Sequence, residues 1–216
     1  MRVEGDYEAD GYAHVRSLVT ADVAAAFLRG LKEDLGPGAI PLSRVQHHVN
    51  LLKRPAFEVY GHHYKPMLYF LWGLTPAMRE ITGRDLVPTY DYFRIYRQGD
   101  VCRVHFDRQS CEHSLSLTLA YSDAAVWDLQ VGRTRHPEPS ARVEEDFGDE
   151  PFSSVPMQVG DAVLYRGVHH RHGRIQANPN RWSAHLFLHW VDRAGPFGSQ
   201  AFDGRGLAEG VDFSFA

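Results

Sequence analysis

The sequence predicts a mainly β domain with helices on its N-terminal side, and three observations carry that prediction. Five segments from Pro88 onward are rich in aromatic and β-branched residues and alternate with period 2. Clusters of Gly, Asp, Asn and Pro separate them, among them Arg97-Gln98-Gly99-Asp100, Val159-Gly160-Asp161 and Asn178-Pro179-Asn180. No long helical pattern intervenes, so the sheet is expected to be mostly antiparallel, in a barrel or a double-sheet jelly roll.

The elements follow in order. Thr20 stands before an alanine-rich run, Val23 to Leu35, whose apolar residues recur at helical spacing until Gly36-Pro37-Gly38 stops them. Ser43 to Lys53 is ambiguous. Tyr64 to Ile81 reads as a largely buried helical stretch broken near Thr75-Pro76. The first third is therefore expected to be helical. The strands are Thr89 to Tyr96, Glu112 to Tyr121, Val126 to Val131, Ala162 to Tyr165 and Trp182 to Val191, with His136 to Pro151 as a surface loop. One domain over 1–216 is expected, with a helical buttress at about 1–87, a β core at about 88–192 and a tail at 193–216.

Composition narrows the function. Hydrophobic residues make up 44% and charged residues 23%, a globular balance that excludes wholesale disorder or a collagen-like chain. Lys+Arg of 23 against Asp+Glu of 27 gives a net charge of −4, no footprint for a phosphate backbone or an anionic membrane. Cys102 and Cys111 are the two cysteines, too few for a secreted disulfide framework, and no apolar run approaches the ~18 residues of a membrane span. A cytoplasmic protein with a small-molecule substrate is expected, with no nucleic acid and no membrane as partner; oligomeric state is not readable from the residues.

The thirteen histidines matter by placement. In His105-Phe106-Asp107, side chains two residues apart on an extended chain share a face, so imidazole and carboxylate can meet one cation. A second cluster, Val168-His169-His170-Arg171-His172-Gly173, follows an apolar strand and can supply a third ligand. Two histidines and a carboxylate form the facial set that leaves positions open on Fe(II), and the absence of thiolate disfavours structural zinc. Arg181-Trp182-Ser183 then heads the last long strand, with a guanidinium and a hydroxyl on one face, suited to a distal carboxylate. There is no GxSxG for a serine hydrolase and no HExxH for a zincin.

Taken in order, Tyr-x-x-x-Gly before His-x-Asp, then Gly-Asp-Ala-Val-Leu-Tyr, His-Gly and Arg-Trp-Ser, the chain resembles the iron(II)- and 2-oxoglutarate-dependent dioxygenases, most of all the prolyl 4-hydroxylase-like branch and its small bacterial members. The likeness covers about residues 89–192. It implies a double-stranded β-helix, iron held by His105, Asp107 and His172, with His170 in reserve and His169 third, and 2-oxoglutarate held by Arg181 with Ser183 and by Tyr96. It also implies O2 as co-reactant, succinate and CO2 as products, and hydroxylation of an unactivated C–H bond, since the related halogenases lack a carboxylate at the position of Asp107. Arg94, Arg108 and Trp127 are candidates for contact with the substrate, Arg103 and Arg166 flank the motifs, and Cys111 and Glu112 stand behind the site. His47, His48 and Asn50 are candidates for a polar lid. The substrate is expected to be an amino acid or a biosynthetic intermediate, with a peptide or protein side chain as the alternative. A catalytically silent metal- or ligand-binding barrel is the reading from another class.

Overall fold

A computed structural model describes residues 1–35, 46–47, 50–138 and 140–204. The chain runs β1 (Arg2–Glu4), α1 (Tyr7–Asp10), β2 (Tyr12–Arg16), α2 (Ala21–Asp34), β3 (Gln46–His47), β4 (Ala56–Tyr60) and α3 (Pro66–Thr82). It continues through β5 (Leu86–Arg97), β6 (Cys102–His105), β7 (His113–Tyr121), β8 (Leu129–Gly132), β9 (Phe152–Val155), β10 (Ala162–Tyr165), β11 (His172–Arg174), β12 (Trp182–Asp192) and α4 (Ala201–Gly204).

Two antiparallel sheets result. The larger has the order β1-β2-β10-β7-β12-β5-β4-β3 and the smaller β6-β11-β8-β9. Side-chain alternation then assigns each strand of the large sheet two faces. Leu115, Leu117 and Leu119 of β7, with Leu186, Leu188 and Trp190 of β12, join Phe27 and Leu31 of α2 and Met67, Leu71 and Met78 of α3 in one apolar cluster. The other face carries Ser114, Ser116, Thr118, His185 and His189, all buried although polar. That face looks toward the small sheet, and Leu129, Val131, Val163 and Tyr165 close the space between them.

Two expectations need correction. The N-terminal third is not simply helical, because β1, β2, β3 and β4 extend both ends of the large sheet. In β2 the alternation is short and both faces are covered, with Ala13 and Val15 fully buried and His14 at 7% exposure, so period 2 leaves little polar trace. Nor does the second helix break at Pro76. The N–H that proline lacks would have served the carbonyl of Trp72, a half-exposed residue that water can reach, while the Thr75 hydroxyl donates to Leu71 O at 2.7 Å. The strands β6, β9 and β11, of four, four and three residues, were not foreseen. No described helix is long and apolar enough to cross a membrane.

The cluster beneath the helices sets stability. Leu186→Ala, at a fully buried position, is predicted to cost about 2–5 kcal/mol in urea unfolding. Trp182→Ala, at a position 40% exposed on the same strand, is predicted to stay within about 0.5 kcal/mol.

Candidate metal centre

The small sheet brings the two histidine motifs together by register. β11 pairs antiparallel with β6 so that His172 lies opposite His105, and Gly173 lets the strands approach, since a Cβ there would sit 2.7 Å from Cys102 O. The imidazole centroids are 4.4 Å apart. Asp107 follows β6, its backbone N–H donating to Gly167 O at 2.9 Å. Its Oδ1 lies 3.5 Å from His105 Nε2 and 3.4 Å from His172 Nε2. The three ligand atoms fall within 4.8 Å of one another.

The hydrogen bonds behind these groups decide which atoms are offered. His105 Nδ1 is 2.8 Å from Arg103 O and His172 Nδ1 is 3.0 Å from His170 O. A carbonyl only accepts, so each Nδ1 carries the proton and each Nε2 presents a lone pair to the centre. Asp107 is oriented the same way. The Ser114 hydroxyl donates to Oδ2 at 2.8 Å, and His189 Nδ1 donates to Ser114 Oγ at 2.9 Å, which leaves Oδ1 facing the imidazoles. Burial pushes His189 down to about 4, so it is neutral with its single proton on Nδ1. Burial works to raise the Asp107 carboxyl, but charge attraction to a protonated His172 and hydrogen bonding with His105 and His172 more than offset it and hold Asp107 well below the usual carboxylate range, while Asp107 in turn raises His172 against its burial; a bound cation takes the place of that proton. Two neutral imidazole nitrogens and one carboxylate oxygen, converging without thiolate, fit a divalent iron with open positions.

A narrow cleft leads inward from the three ligands between the sheets. Tyr92, Arg94, Tyr96, Tyr165, Arg174 and Phe187 line it with them. Arg94 is neutralised by Glu58 at 2.6 Å and also donates to the Tyr96 hydroxyl at 2.9 Å. Arg174 has no carboxylate partner among the described residues. Its guanidinium meets only neutral groups: Trp127 O, Met157 Sδ, His185 Nδ1 at 3.4 Å and the Trp127 ring at 4.8 Å. On the outer side of Asp107 a recess of about 490 Å³ is lined by Phe106, Arg108, Gln109, Ser110 and Gln200.

Of the residues singled out from the sequence, His105, Asp107, His172, Tyr96 and Arg94 meet around the cleft, Arg94 being held there by Glu58. Arg181 does not. It precedes β12 at the rim, with its side chain 74% exposed and 3.2 Å from Asp123, so the expectation that it clamps a ligand in the cleft is corrected. Ser183 is buried, but its hydroxyl accepts from Asn178 at 3.1 Å and does not line the cleft. His170 hydrogen-bonds Gly132 O at 2.9 Å and packs over Gly11, apart from the trio, and His169 faces His136 O. Trp127 carries Arg174, while Arg108 lies over the Tyr90 ring and pairs with Asp203 at 2.8 Å at the recess. Arg103 pairs with Glu145 and Arg166 with Glu8, both away from the cleft. The Cys111 carbonyl lies 3.2 Å from Ser114 Oγ, and Glu112 accepts from Asp192 N at 2.9 Å. His48 lies outside the described residues, the backbone of His47 pairs with Ala56, and Asn50 is exposed.

Arg174, Ser114 and His189 were missed, although strand period points to all three. Arg174 is two residues beyond His172 on one strand face, and His189 continues the series Ser183, His185, Phe187.

No family model matches the chain, and no curated protein matches it in sequence. Solved structures do match in fold. The non-heme α-ketoglutarate-dependent epimerase SnoN from nogalamycin biosynthesis, also solved with Fe3+, α-ketoglutarate and nogalamycin RO, superposes with a TM-score of 0.65 over 97% of this chain and 93% of its own, at 14% identity. A prolyl-4-hydroxylase from Pseudomonas putida gives 0.58 over 88% and 96%, at 14% identity. EctD from S. alaskensis with 2-oxoglutarate and 5-hydroxyectoine gives 0.61 over 87% and 74%, at 14% identity.

Removing any one of the three ligands is predicted to weaken Fe(II) binding more than about 100-fold in anaerobic calorimetry, and Ser114→Ala by about 10-fold through loss of the Asp107 orientation. His170→Ala is predicted to bind as the wild type does. The chain thus has the fold of iron- and 2-oxoglutarate-dependent oxygenases at low sequence identity.

Proposed function

We propose that the protein is an Fe(II)- and 2-oxoglutarate-dependent oxygenase that hydroxylates an unactivated C–H bond of a small molecule, an amino acid or a biosynthetic intermediate. The observation that carries this reading is one cleft holding both the ligand trio and a buried guanidinium with no anionic partner. A buried unpaired charge is costly, and a dicarboxylate reaching from the metal to Arg174 would remove that cost. The charges then match: cation and dianion cancel, and Asp107 balances Arg174.

Each residue has a physical task in this mechanism. His105, His172 and Asp107 would hold the iron. With metal and cosubstrate bound, O2 would oxidise 2-oxoglutarate to succinate and CO2, one oxygen atom entering succinate and the other the C–H bond. Ser114 and His189 fix the carboxylate. Arg174, seated on the Trp127 ring and carbonyl, receives the far carboxylate of the cosubstrate in the role the sequence assigned to Arg181. The Tyr96 hydroxyl accepts from Arg94, and burial pushes its acidity down, so it keeps a proton to donate into the cleft. Tyr92 and Phe187, stacked with centroids 4.8 Å apart, keep water from the inner end. The outer recess beside Asp107 is where the substrate would be held.

Substrate-dependent succinate formation is the test. In the anaerobic Fe(II) and 2-oxoglutarate complex, a weak visible charge-transfer band is expected. Arg174→Met is predicted to raise the 2-oxoglutarate needed for half-formation by about 10–100-fold, and Arg181→Ala to leave it unchanged. Absence of the band in folded, iron-loaded wild type sinks the reading and leaves the silent barrel in its place.

A further inference from the structure

A second buried charge without a partner lies on the opposite face of β5. Asp91 sits between Tyr90 and Tyr92, is 1% exposed, and neither of its carboxylate oxygens meets a donor on another described residue. Glu58, buried as deeply on the neighbouring strand β4, is matched by Arg94, so the unpaired state of Asp91 is particular to it. The turn after β4 presses against the carboxylate. A Cβ at Gly61 would lie 1.8 Å from Asp91 Oδ1, which only glycine permits.

Asp91 forms part of the wall of a cavity of about 160 Å³ between β5, α3 and the segment around Phe202. Leu68, Leu71, Trp72 and Phe202 supply apolar and aromatic lining; His62, Thr89 and Tyr90 complete it, the two hydroxyls being engaged with Ser110 O and Cys111 Sγ, and the Asp203 carboxylate is already paired with Arg108. No lysine or arginine among the described residues lines it. Trp72 is 50% exposed, and Tyr69, one turn earlier on α3, is 68% exposed, so the aromatic surface continues outward from the cavity. Burial pushes the Asp91 carboxyl up to about 7, leaving a substantial anionic fraction at neutral pH, with His62 as the one imidazole of the lining.

A carboxylate among apolar and aromatic walls selects its ligand by chemistry. A hydrated divalent metal needs six or more oxygen ligands, which these walls do not offer. An anion is repelled. A cation with an apolar body satisfies all three features, pairing with the carboxylate, facing an indole ring and covering leucine. We propose that this cavity binds an organic ammonium group, with Asp91 as its counter-ion and Trp72 as its aromatic wall. The site lies outside the iron cleft and does not depend on the oxygenase reading.

Tetramethylammonium chloride is the probe, with tert-butanol as its neutral tetrahedral counterpart of equal heavy-atom count and sodium chloride as the salt control. Tryptophan fluorescence is followed in the wild type and in Trp72→Phe, so that the Trp72 signal is the difference among the four tryptophans. The expected result is a saturable change at Trp72 for the ammonium and none for the alcohol. Asp91→Asn, which keeps the shape and removes a buried charge, is expected to weaken binding by about tenfold or more. Gly61→Ala is a second variant that disturbs the carboxylate from the other side, with the thermal midpoint read as a fold control. Equal responses to ammonium and alcohol with Asp91→Asn unchanged would show an apolar crevice and overturn the proposal. So would no saturable response in the folded wild type.

Discussion

The centre of this molecule depends on the register in which β11 meets β6. Pairing His172 with His105 puts two imidazoles on one face of a short ladder, and the turn after β6 brings Asp107 beneath them. A slip of one residue would turn His172 to the opposite face and offer Gly173 instead. Gly173 allows the close approach, and Gly167 makes room for Asp107, since a Cβ there would lie 2.2 Å from its Oδ2. Backbone space at two glycines is thus as necessary to the ligand set as the ligands themselves.

The same two-residue period divides the large sheet into a stabilising face and a chemical one. Leucines of β7 and β12 face α2 and α3, while serines, threonine and histidines face the small sheet. The helices let the sheet bury both faces, and burial gives the inner polar groups their force. In a low-dielectric interior an unmatched guanidinium or carboxylate is expensive, which is the ground for proposing a ligand's charge beside each of the two. Arg174 and Asp91 lie on the two sides of one sheet and ask for opposite partners. Arg94 and Glu58, which match each other, ask for none and serve as a fixed wall.

How much of this was legible in the sequence follows from how far each signal reaches. The long strands β5, β7 and β12 and the helices α2 and α3 are long enough for periodicity to declare them. His105-Phe106-Asp107 is a local pattern, readable because both ligands come from one extended segment. The short strands β6 and β11 carry too few residues for a period, and their existence rests on pairing across the molecule. Arg181 shows the limit of position along a chain as a guide. Its spacing from His172 suits a clamp, yet β12 begins after it, and Asp123 holds it at the surface through both backbone and side chain. Arg174 was within reach by the rule that linked His105 to Asp107, applied once more from His172.

The fold does not dictate the outcome of the chemistry, and its neighbours make the point: an epimerase, a carbocyclase and a prolyl hydroxylase share it. What separates these reactions has to lie where each substrate is held. On the oxygenase reading proposed for this chain, that place is the recess beyond Asp107, built from the turn after β6, Ser140 and Ala141 of the loop before β9, and Gln200 ahead of α4. These segments are distant in sequence and lie outside the ladders, so they can change without disturbing the β6–β11 register. The Arg108–Asp203 pair ties two of them together beside the Tyr90 ring, whose strand also carries Asp91 on its other face. On that reading, reaction specificity is a property of loops anchored to a sheet whose own residues hold the ligand trio and its charge balance.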